Sequence, residues 1–183
     1  LEKRVEDIKN GLNKELLWIL EHPTTYTGGV RYTENEILDK KVKIVRTNRG
    51  GKITLHNPGQ KVIYFVIDLK KRKRDVRLFI NIIEKCVIEL LGVYKIRGHS
   101  DRNNIGIWVK NKKISAIGIK VKNWIAYHGC SININNKLSD YKKIVPCGLS
   151  NELITSLEYL GVKKANNLNN NIKKIFLKYL SKI

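Results

Sequence analysis

Hydrophobic and polar residues alternate along this chain in two patterns, one typical of buried strands and one typical of helices. The strongest strand signal is the run 61–69, which is rich in β-branched and aromatic residues. Such a run predicts a strand that is covered on both faces. Shorter apolar runs predict strands over 15–21 and 42–45, a hairpin of 105–109 with 114–121, and a strand over 124–134 that is broken at His128-Gly129.

Helical spacing of apolar residues is clearest over 76–91, where Asp75 precedes the segment as a cap and Gly92 follows it as a stop. The stretch 24–29, with its glycine pair, is predicted to be a loop. Strands followed by helices indicate an α/β fold of the α+β type, with a mixed sheet and flanking helices in one domain over 1–183. The other predicted helices are 5–14, 34–38, 151–160 (capped by Ser150, with Glu152 in its first turn) and 169–181.

Length and composition narrow the class of protein. The chain has 183 residues and is 42% hydrophobic, which is enough to bury a core and argues against disorder. No apolar run approaches the roughly 20 residues that span a bilayer, and the first residues lack the apolar stretch of a signal peptide. The three cysteines are widely spaced and fit neither a disulfide framework nor a CxxC metal pair, which suggests a reducing, cytoplasmic setting.

The net charge of +20 is open to three interpretations. It could neutralise the phosphates of a nucleic acid, steer acidic protein partners, or reflect a general enrichment in lysine. Only 70–74 is a dense basic block, and the other lysines are spread along the chain. This spread favours steering and general enrichment over nucleic-acid binding.

The sequence places Cys147 between Pro146 and Gly148, just before the predicted helix 151–160. A thiolate is the reactive form of cysteine, and a helix N-terminus or a nearby cation lowers the pKa of a thiol. Cys147 is therefore a candidate nucleophile, while a turn with a buried, unreactive thiol is the alternative. Cys86 lies beside the apolar stripe of the helix 76–91 and is predicted to be a packing residue.

The base that would activate Cys147 is not fixed by local pattern. Each of the four histidines, at 22, 56, 99 and 128, is a candidate, and a lysine of lowered pKa is another. Lys112 and Lys113 are adjacent in a predicted strand, so that their side chains should lie on opposite faces and only one can reach the site.

Two further motifs have weak alternative interpretations. Arg49-Gly50-Gly51 resembles an RNA-binding RGG, but it occurs once and lies between strands, where its glycines would let the backbone approach a ligand closely. His128-Gly129-Cys130 suggests a metal site, but no other ligands have suitable spacing, and no metal is predicted.

Three stretches taken together carry a family resemblance. In order and spacing they resemble the lipoyl(octanoyl) transferases of lipoate synthesis, over about residues 16 to 160. The chain departs from the family pattern at Asn57, where glycine is usual, and at Cys130 and Ser131. The first stretch is Arg49-Gly50-Gly51-x-x-Thr54-x-His56-x-Pro58-Gly59-Gln60, which runs into Tyr64 and Asp68-Leu69. The second is Lys113-Ile114-x-Ala116-Ile117-Gly118, followed by His128-Gly129 and Asn133. The third is Pro146-Cys147-Gly148, followed by Thr155-Ser156-Leu157.

The resemblance implies a fold like that of biotin protein ligase and lipoate ligase catalytic domains. It implies transfer of octanoyl from acyl carrier protein, through a thioester on Cys147, to a lysine of lipoyl domains in 2-oxoacid dehydrogenase complexes and the glycine cleavage H protein, without a cofactor. It selects Lys113 as the residue that lowers the pKa of Cys147. The positions that match the family's acyl pocket are Arg49, Gly50, Gly51, Lys52, Ile53, Thr54, Leu55, His56, Ala116, Ile117, Gly118, Gly129, Cys130 and Ser131.

Three other functions stay open on the sequence. An ATP-dependent lipoate or biotin ligase would share the fold but would need a nucleotide site, of which the motifs give no sign. A basic RNA-binding domain would account for the charge alone. A scaffold that binds acyl carrier protein without turnover would leave the Cys147 motif unused.

Overall fold

The computed structural model describes residues 1–146 and 153–182. Along these residues, runs of strands are separated by single α-helices, as the α+β prediction requires. The helices are α1 (Glu2–Lys9), α2 (Val76–Val93) and α3 (Leu168–Leu180), and the strands are β1 (Leu16–Leu20), β2 (Thr25–Gly28), β3 (Ile44–Arg46), β4 (Ile53–His56), β5 (Gln60–Asp68), β6 (His99–Ser100), β7 (Ile107–Val109), β8 (Lys112–Lys122) and β9 (Ile125–Asn133).

The larger sheet has six strands in the order β1-β5-β9-β8-β7-β6, and every neighbouring pair is antiparallel. Helices α2 and α3 cover one face of it, because their apolar stripes pack with alternate residues of β5 and β9 into one core. The Asp75 carboxylate caps α2 by accepting a hydrogen bond from the backbone N–H of Leu78 at 2.9 Å. The helix continues through Gly92 to Val93, slightly past its predicted end.

The smaller sheet places β2 between β3, which is parallel to it, and β4, which is antiparallel. The mixed pairing expected from the sequence is therefore found in this sheet. Its side chains form a second core with Tyr141 and Ile144. The prediction of a loop over 24–29 is wrong, because 25–28 pair on both sides as β2.

Three other predictions are corrected. Strand β9 runs without a break through His128-Gly129 and pairs with β5 and β8. Strand β1 is an edge strand and only partly buried, with Trp18 53% exposed. Residues 153–160 form no α-helix: a bridge joins Ile154 to Lys113, and a turn follows. The predicted cap at Ser150 and the position of Glu152 lie outside the described residues.

No helix within the described ranges has both the length and the apolar character that crossing a bilayer requires.

Candidate active site

A cavity of about 780 Å³ opens on the face of the large sheet that α2 and α3 leave uncovered. Its volume falls in the range of small-molecule sites. Residues of both sheets and of the segment 46–52 enclose it, and the start of α1 borders it. The lining residues are Leu1, Glu2, Lys3, Thr27, Arg46, Thr47, Asn48, Arg49, Gly50, Gly51, Lys52, Thr54, His56, Val62, Tyr64, Ala116, Ile117, Gly118, His128, Gly129, Cys130 and Ser131.

Small residues on the two central strands create the space. Ala116 and Gly118 of β8 lie opposite Ser131 and Gly129 of β9. Side chains of directly paired residues stand on the same face of a sheet. The side chains at these four positions are small or absent, so they leave room for a ligand to lie along this face of the sheet.

Two of the positions matched to the family's pocket do not reach the cavity. Ile53 and Leu55 alternate with Thr54 and His56 along β4, and both are fully buried in the core of the small sheet. The other predicted binding residues border the cavity. Successive side chains of a strand point to opposite faces, so Ile53 and Leu55 point into the core while Thr54 and His56 point toward the cavity.

Cys130 borders the cavity while its side chain packs with the main core, on the helix side of the sheet. Burial raises the pKa of the Cys130 thiol. Burial likewise raises the pKa of Cys86 to about 12, and the position of this residue inside the core confirms the prediction that it is a packing residue. Neither thiol is therefore ready to form a thiolate at neutral pH.

The loop at 49–51 crosses the face of the sheet at close range. The Gly50 N–H donates to the Ile119 carbonyl oxygen of β8 at 3.2 Å, and a Cβ at Gly50 would lie 2.8 Å from the same oxygen. The glycine therefore permits approach to β8. The Arg49 guanidinium is oriented by donating to Thr27, at 2.7 Å to its carbonyl oxygen and 2.9 Å to its hydroxyl.

The neutral tautomer of His56 is set by a buried glutamine. The Gln60 amide nitrogen lies 3.2 Å from the Leu55 carbonyl oxygen, which can only accept, and 2.9 Å from the Asn133 side-chain oxygen. The Gln60 side-chain oxygen therefore faces His56 Nδ1, at 2.7 Å. Nδ1 must carry the proton, and Nε2 is left as a hydrogen-bond acceptor on a cavity-lining residue.

Acidification is expected to destabilise the fold through His56. Burial lowers the pKa of His56 from 6.5 to about 4, so the unfolded state binds more protons between these values. The stability contributed by neutral His56 is present above about pH 6.5 and is lost as the pH falls toward about 4. We expect His56 to account for a loss of about 2 kcal/mol between about pH 7 and about pH 5, measured by urea unfolding as the difference between wild type and a variant that lacks this histidine.

The matched variants for this experiment are His56→Gln and His99→Gln. The first removes one titrating group and should reduce the pH dependence by the share of His56, while His128, whose pKa is also lowered, still contributes. Replacement of exposed His99, outside the cavity, should leave the slope unchanged. An equal slope in wild type and His56→Gln would contradict the assignment.

Two other histidines lie at or near the cavity. His128 Nε2 is 2.6 Å from the Asn48 side-chain oxygen, and burial together with the charge of Arg49 lowers its pKa to about 4. His22 Nε2 is 2.9 Å from the Tyr64 hydroxyl, and burial lowers its pKa.

Lys113 is the buried member of the lysine pair. It is 6% exposed in β8, whereas Lys112 is half-buried, with its Nζ 5.8 Å from the centre of the Tyr159 ring. Lys113 lines a narrow cleft together with Pro146. The cleft shares three lining residues with the large cavity, namely Thr54, Ala116 and Ser131.

Cys147 lies outside the described residues, but the chain on either side is held near Lys113. Pro146, the residue before it, lines the Lys113 cleft. On the far side, the Thr155 N–H donates to the Lys113 carbonyl oxygen at 3.0 Å, and the Asn133 side-chain amide donates to the Thr155 carbonyl oxygen at 3.0 Å. The sequence predicted that the dipole of a helix over 151–160 would lower the pKa of Cys147. Residues 153–160 form no α-helix, so this contribution is not expected.

The sequence interpretation assigned no role to several residues that lie at the site. Val62 and Tyr64 line the cavity, and their alternation along the strongest strand could have indicated a shared face. Gln60 and Asn133 were visible within the motifs but had no assigned role. Asn57, one of the departures from the family pattern, is buried outside the cavity and donates to the Lys137 carbonyl oxygen at 3.1 Å.

Within residues 1–146 and 153–182, no group of three or more His, Cys, Asp or Glu side chains is arranged to hold a metal ion.

Comparison with known proteins gives a consistent family. The family model described as the lipoyl protein ligase A/B catalytic domain matches residues 2–179. The octanoyltransferase of Wolbachia pipientis subsp. Culex pipiens (strain wPip) is 43% identical over 168 residues, which is 89% of this chain and 82% of the relative. Such relatives do not favour the RNA-binding or ligase alternatives.

Solved structures agree on the fold. A lipoate-protein ligase A bound with ATP matches 92% of this chain and 74% of its own, with a TM-score of 0.78 and 14% identity. Biotin protein ligase from Aquifex aeolicus matches 89% of this chain and 70% of its own, with a TM-score of 0.53 and 13% identity. The predicted fold class is confirmed by these two neighbours.

Proposed function

The chain belongs to the octanoyltransferases of the lipoyl protein ligase A/B catalytic domain family, and on this basis we propose a Cys147–Lys113 mechanism for it. In this mechanism residues 1–183 act as one cytoplasmic catalytic domain. Octanoyl passes from acyl carrier protein to Cys147 and then to a lysine of a lipoyl domain. The observation that carries the proposal is the shared cleft of Lys113 and Pro146, which adjoins the cavity through Thr54, Ala116 and Ser131.

The first half-reaction exchanges one thioester for another. The Cys147 thiolate attacks the carbonyl carbon of the carrier thioester, a new C–S bond forms, and the carrier thiolate leaves. Lys113 takes the proton from Cys147 before attack and returns it to the leaving sulfur. Cys86 and Cys130 are poor substitutes because burial raises the pKa of both thiols.

The second half-reaction forms an amide. The amine of the target lysine attacks the acyl-enzyme carbonyl, the C–N bond forms, and the Cys147 thiolate leaves. Lys113 takes the proton that the nitrogen loses. The sequence is balanced without ATP, a metal or a redox cofactor, since the carrier thioester already holds the activated acyl group.

The cavity supplies binding for the alkyl chain. Burial of apolar groups contributes about 0.8 kcal/mol per methylene, so an octanoyl tail gains several kcal/mol on entering a cavity of about 780 Å³. The small residues that open the cavity, Gly118 and Gly129 among them, are well placed to contact such a tail.

The positive charge suits acidic protein partners. The net charge of +20 would steer acidic acyl carrier protein to the enzyme, and likewise the acidic lipoyl domains of 2-oxoacid dehydrogenase complexes and the glycine cleavage H protein.

The test is intact-protein mass spectrometry after incubation with octanoyl-acyl carrier protein. We expect a single octanoyl adduct that maps to Cys147 by peptide analysis and is absent in Cys147→Ser. Adding a lipoyl domain should discharge the adduct and acylate the domain. Failure of active carrier to form an adduct, or an adduct on Cys86 or Cys130, would refute the mechanism.

A further inference from the structure

The Lys113 side chain is a buried cation that needs stabilisation from its surroundings. It is 6% exposed and makes no ion pair with any carboxylate of residues 1–146 or 153–182. Burial of an ammonium group is costly unless other groups replace the lost hydration. The groups around its end are therefore informative about its state and position.

One such group is an aromatic ring. Trp108 of β7 is the cross-strand partner of Lys113, and the Lys113 Nζ lies 5.4 Å from the centre of its ring. An ammonium within about 6 Å of an indole face is attracted by the ring quadrupole, most strongly where water is excluded. The ring is itself fixed, since it is 6% exposed and its N–H donates to the Asn104 carbonyl oxygen at 3.0 Å.

The second group is a glycine that leaves room for the lysine end. A Cβ at Gly106 would overlap Lys113 Cε and would lie 3.1 Å from Nζ and 2.5 Å from the Ser115 carbonyl oxygen. The backbone of Gly106 has φ +139, a conformation that other residues rarely adopt. The lysine therefore crosses directly over a position where no other residue fits.

We propose that Gly106 and Trp108 form a seat that positions the Lys113 ammonium for acyl transfer. The inference rests on the catalytic assignment of Lys113 made above, and it adds two positioning residues. Gly106 defines where the end of the side chain lies, and the Trp108 ring favours the charged amine there. An ammonium held in this place pairs with the thiolate of the nucleophile in the first half-reaction.

The first test compares two glycine variants. Gly106→Ala should slow octanoylation of Cys147 by about 10²-fold, because a displacement of about 1 Å at a reacting group has an effect of that size. The matched control is Gly161→Ala, since Gly161 also has positive φ (+90) but has no atom within 4 Å of an added Cβ. The Gly161→Ala variant has the same kind of backbone strain but no clash with a neighbouring atom, and it should form the octanoyl adduct at the wild-type rate.

The second test uses two ring variants and remains decisive if Gly106→Ala does not fold. Trp108→Leu should slow acylation by about 3–30-fold with KM for the carrier unchanged, whereas Trp108→Phe, which keeps an aromatic face, should recover most of the rate. A purely structural role would lower the melting temperature of both variants and would not separate their rates.

The outcomes distinguish the two proposals. If wild type forms no adduct on Cys147, or if Lys113→Ala acylates normally, the proposed function and the inference both fail. If wild type acylates and Lys113→Ala does not, but Gly106→Ala or the two Trp108 variants acylate at the wild-type rate, only the seat is refuted.

Discussion

Replacement of Lys113 by alanine is expected to slow formation of the octanoyl adduct on Cys147 by about 10²–10⁴-fold, the usual contribution of a positioned acid or base. The side chain is buried in the cleft that Pro146 lines, so that its loss removes a charged group from the cleft that the residue before Cys147 borders. The measurement is a single-turnover time course by quenched-flow mass spectrometry. The deficit should shrink as the pH rises toward about 8.5, where a thiol ionises unaided.

The control is Lys112→Ala, one residue away in the same strand. Lys112 is half-buried, with its ammonium over the Tyr159 ring, and it does not line the cleft. Its removal should leave the adduct rate close to that of wild type. Equal effects of the two substitutions would overturn the assignment of Lys113, and thermal melting of both variants separates catalysis from folding.

Elements with a strong local pattern were predictable from the sequence. The run 61–69 became β5, an interior strand next to the edge strand β1 of the large sheet, and the Asp75-capped segment became α2. In both cases the local preference and the tertiary environment agree, since one stretch is buried on both faces and the other presents one apolar stripe. The family resemblance, which rests on motifs far apart in the sequence, is confirmed by the family model and the relatives.

Elements that depend on distant partners were not predictable. Strand β2 contains polar and glycine residues and forms only because β3 and β4 pair with it on both sides. Residues 153–160 have a helical pattern, but hydrogen bonds from Thr155 and Leu157 to β8 and β9 hold the segment against the sheet instead. Tertiary contacts override weak local preference in both cases.

The site shows the same division. The motifs identify which stretches meet at the cavity, but the direction of each side chain depends on strand geometry, which is why Ile53 and Leu55 turn into the small core. Gly106 and Trp108 belong to no motif of the resemblance. Their contact with the end of the Lys113 side chain depends on the path of that side chain, which only the structure provides.

Substitution of Gly129 by alanine is expected to be among the most destabilising single changes on the cavity face. A Cβ at this position would overlap the Ile63 carbonyl oxygen and would lie 2.8 Å from the Ile63 carbonyl carbon, both in the backbone of β5. Neither atom can move without breaking the β5–β9 pairing. We expect a loss of more than about 4 kcal/mol of unfolding free energy, or about 8–16 °C in Tm for a chain of this size.

The conformation of the preceding residue explains why the strand needs this glycine. His128 has φ +71, in the left-handed region, yet β9 stays paired with β5 and β8 at this point. A left-handed residue inside a strand shifts the backbone that follows it, and Gly129 then lies too close to β5 to carry a side chain. The same pair of residues was interpreted from the sequence as a break in the strand, whereas the structure shows a local distortion that both neighbouring strands accommodate.

The matched control, Gly92→Ala, is expected to raise stability, whereas Gly129→Ala lowers it. Gly92 lies inside α2, and an added Cβ there would meet no atom within 4 Å, so Gly92→Ala should raise stability by about 0.5–1 kcal/mol through its better helix propensity. Thermal melting of the two variants beside wild type is sufficient. A Gly129→Ala protein that melts within a few tenths of a degree of wild type would show that β9 does not approach β5 this closely. The floor of the cavity would then not depend on that contact.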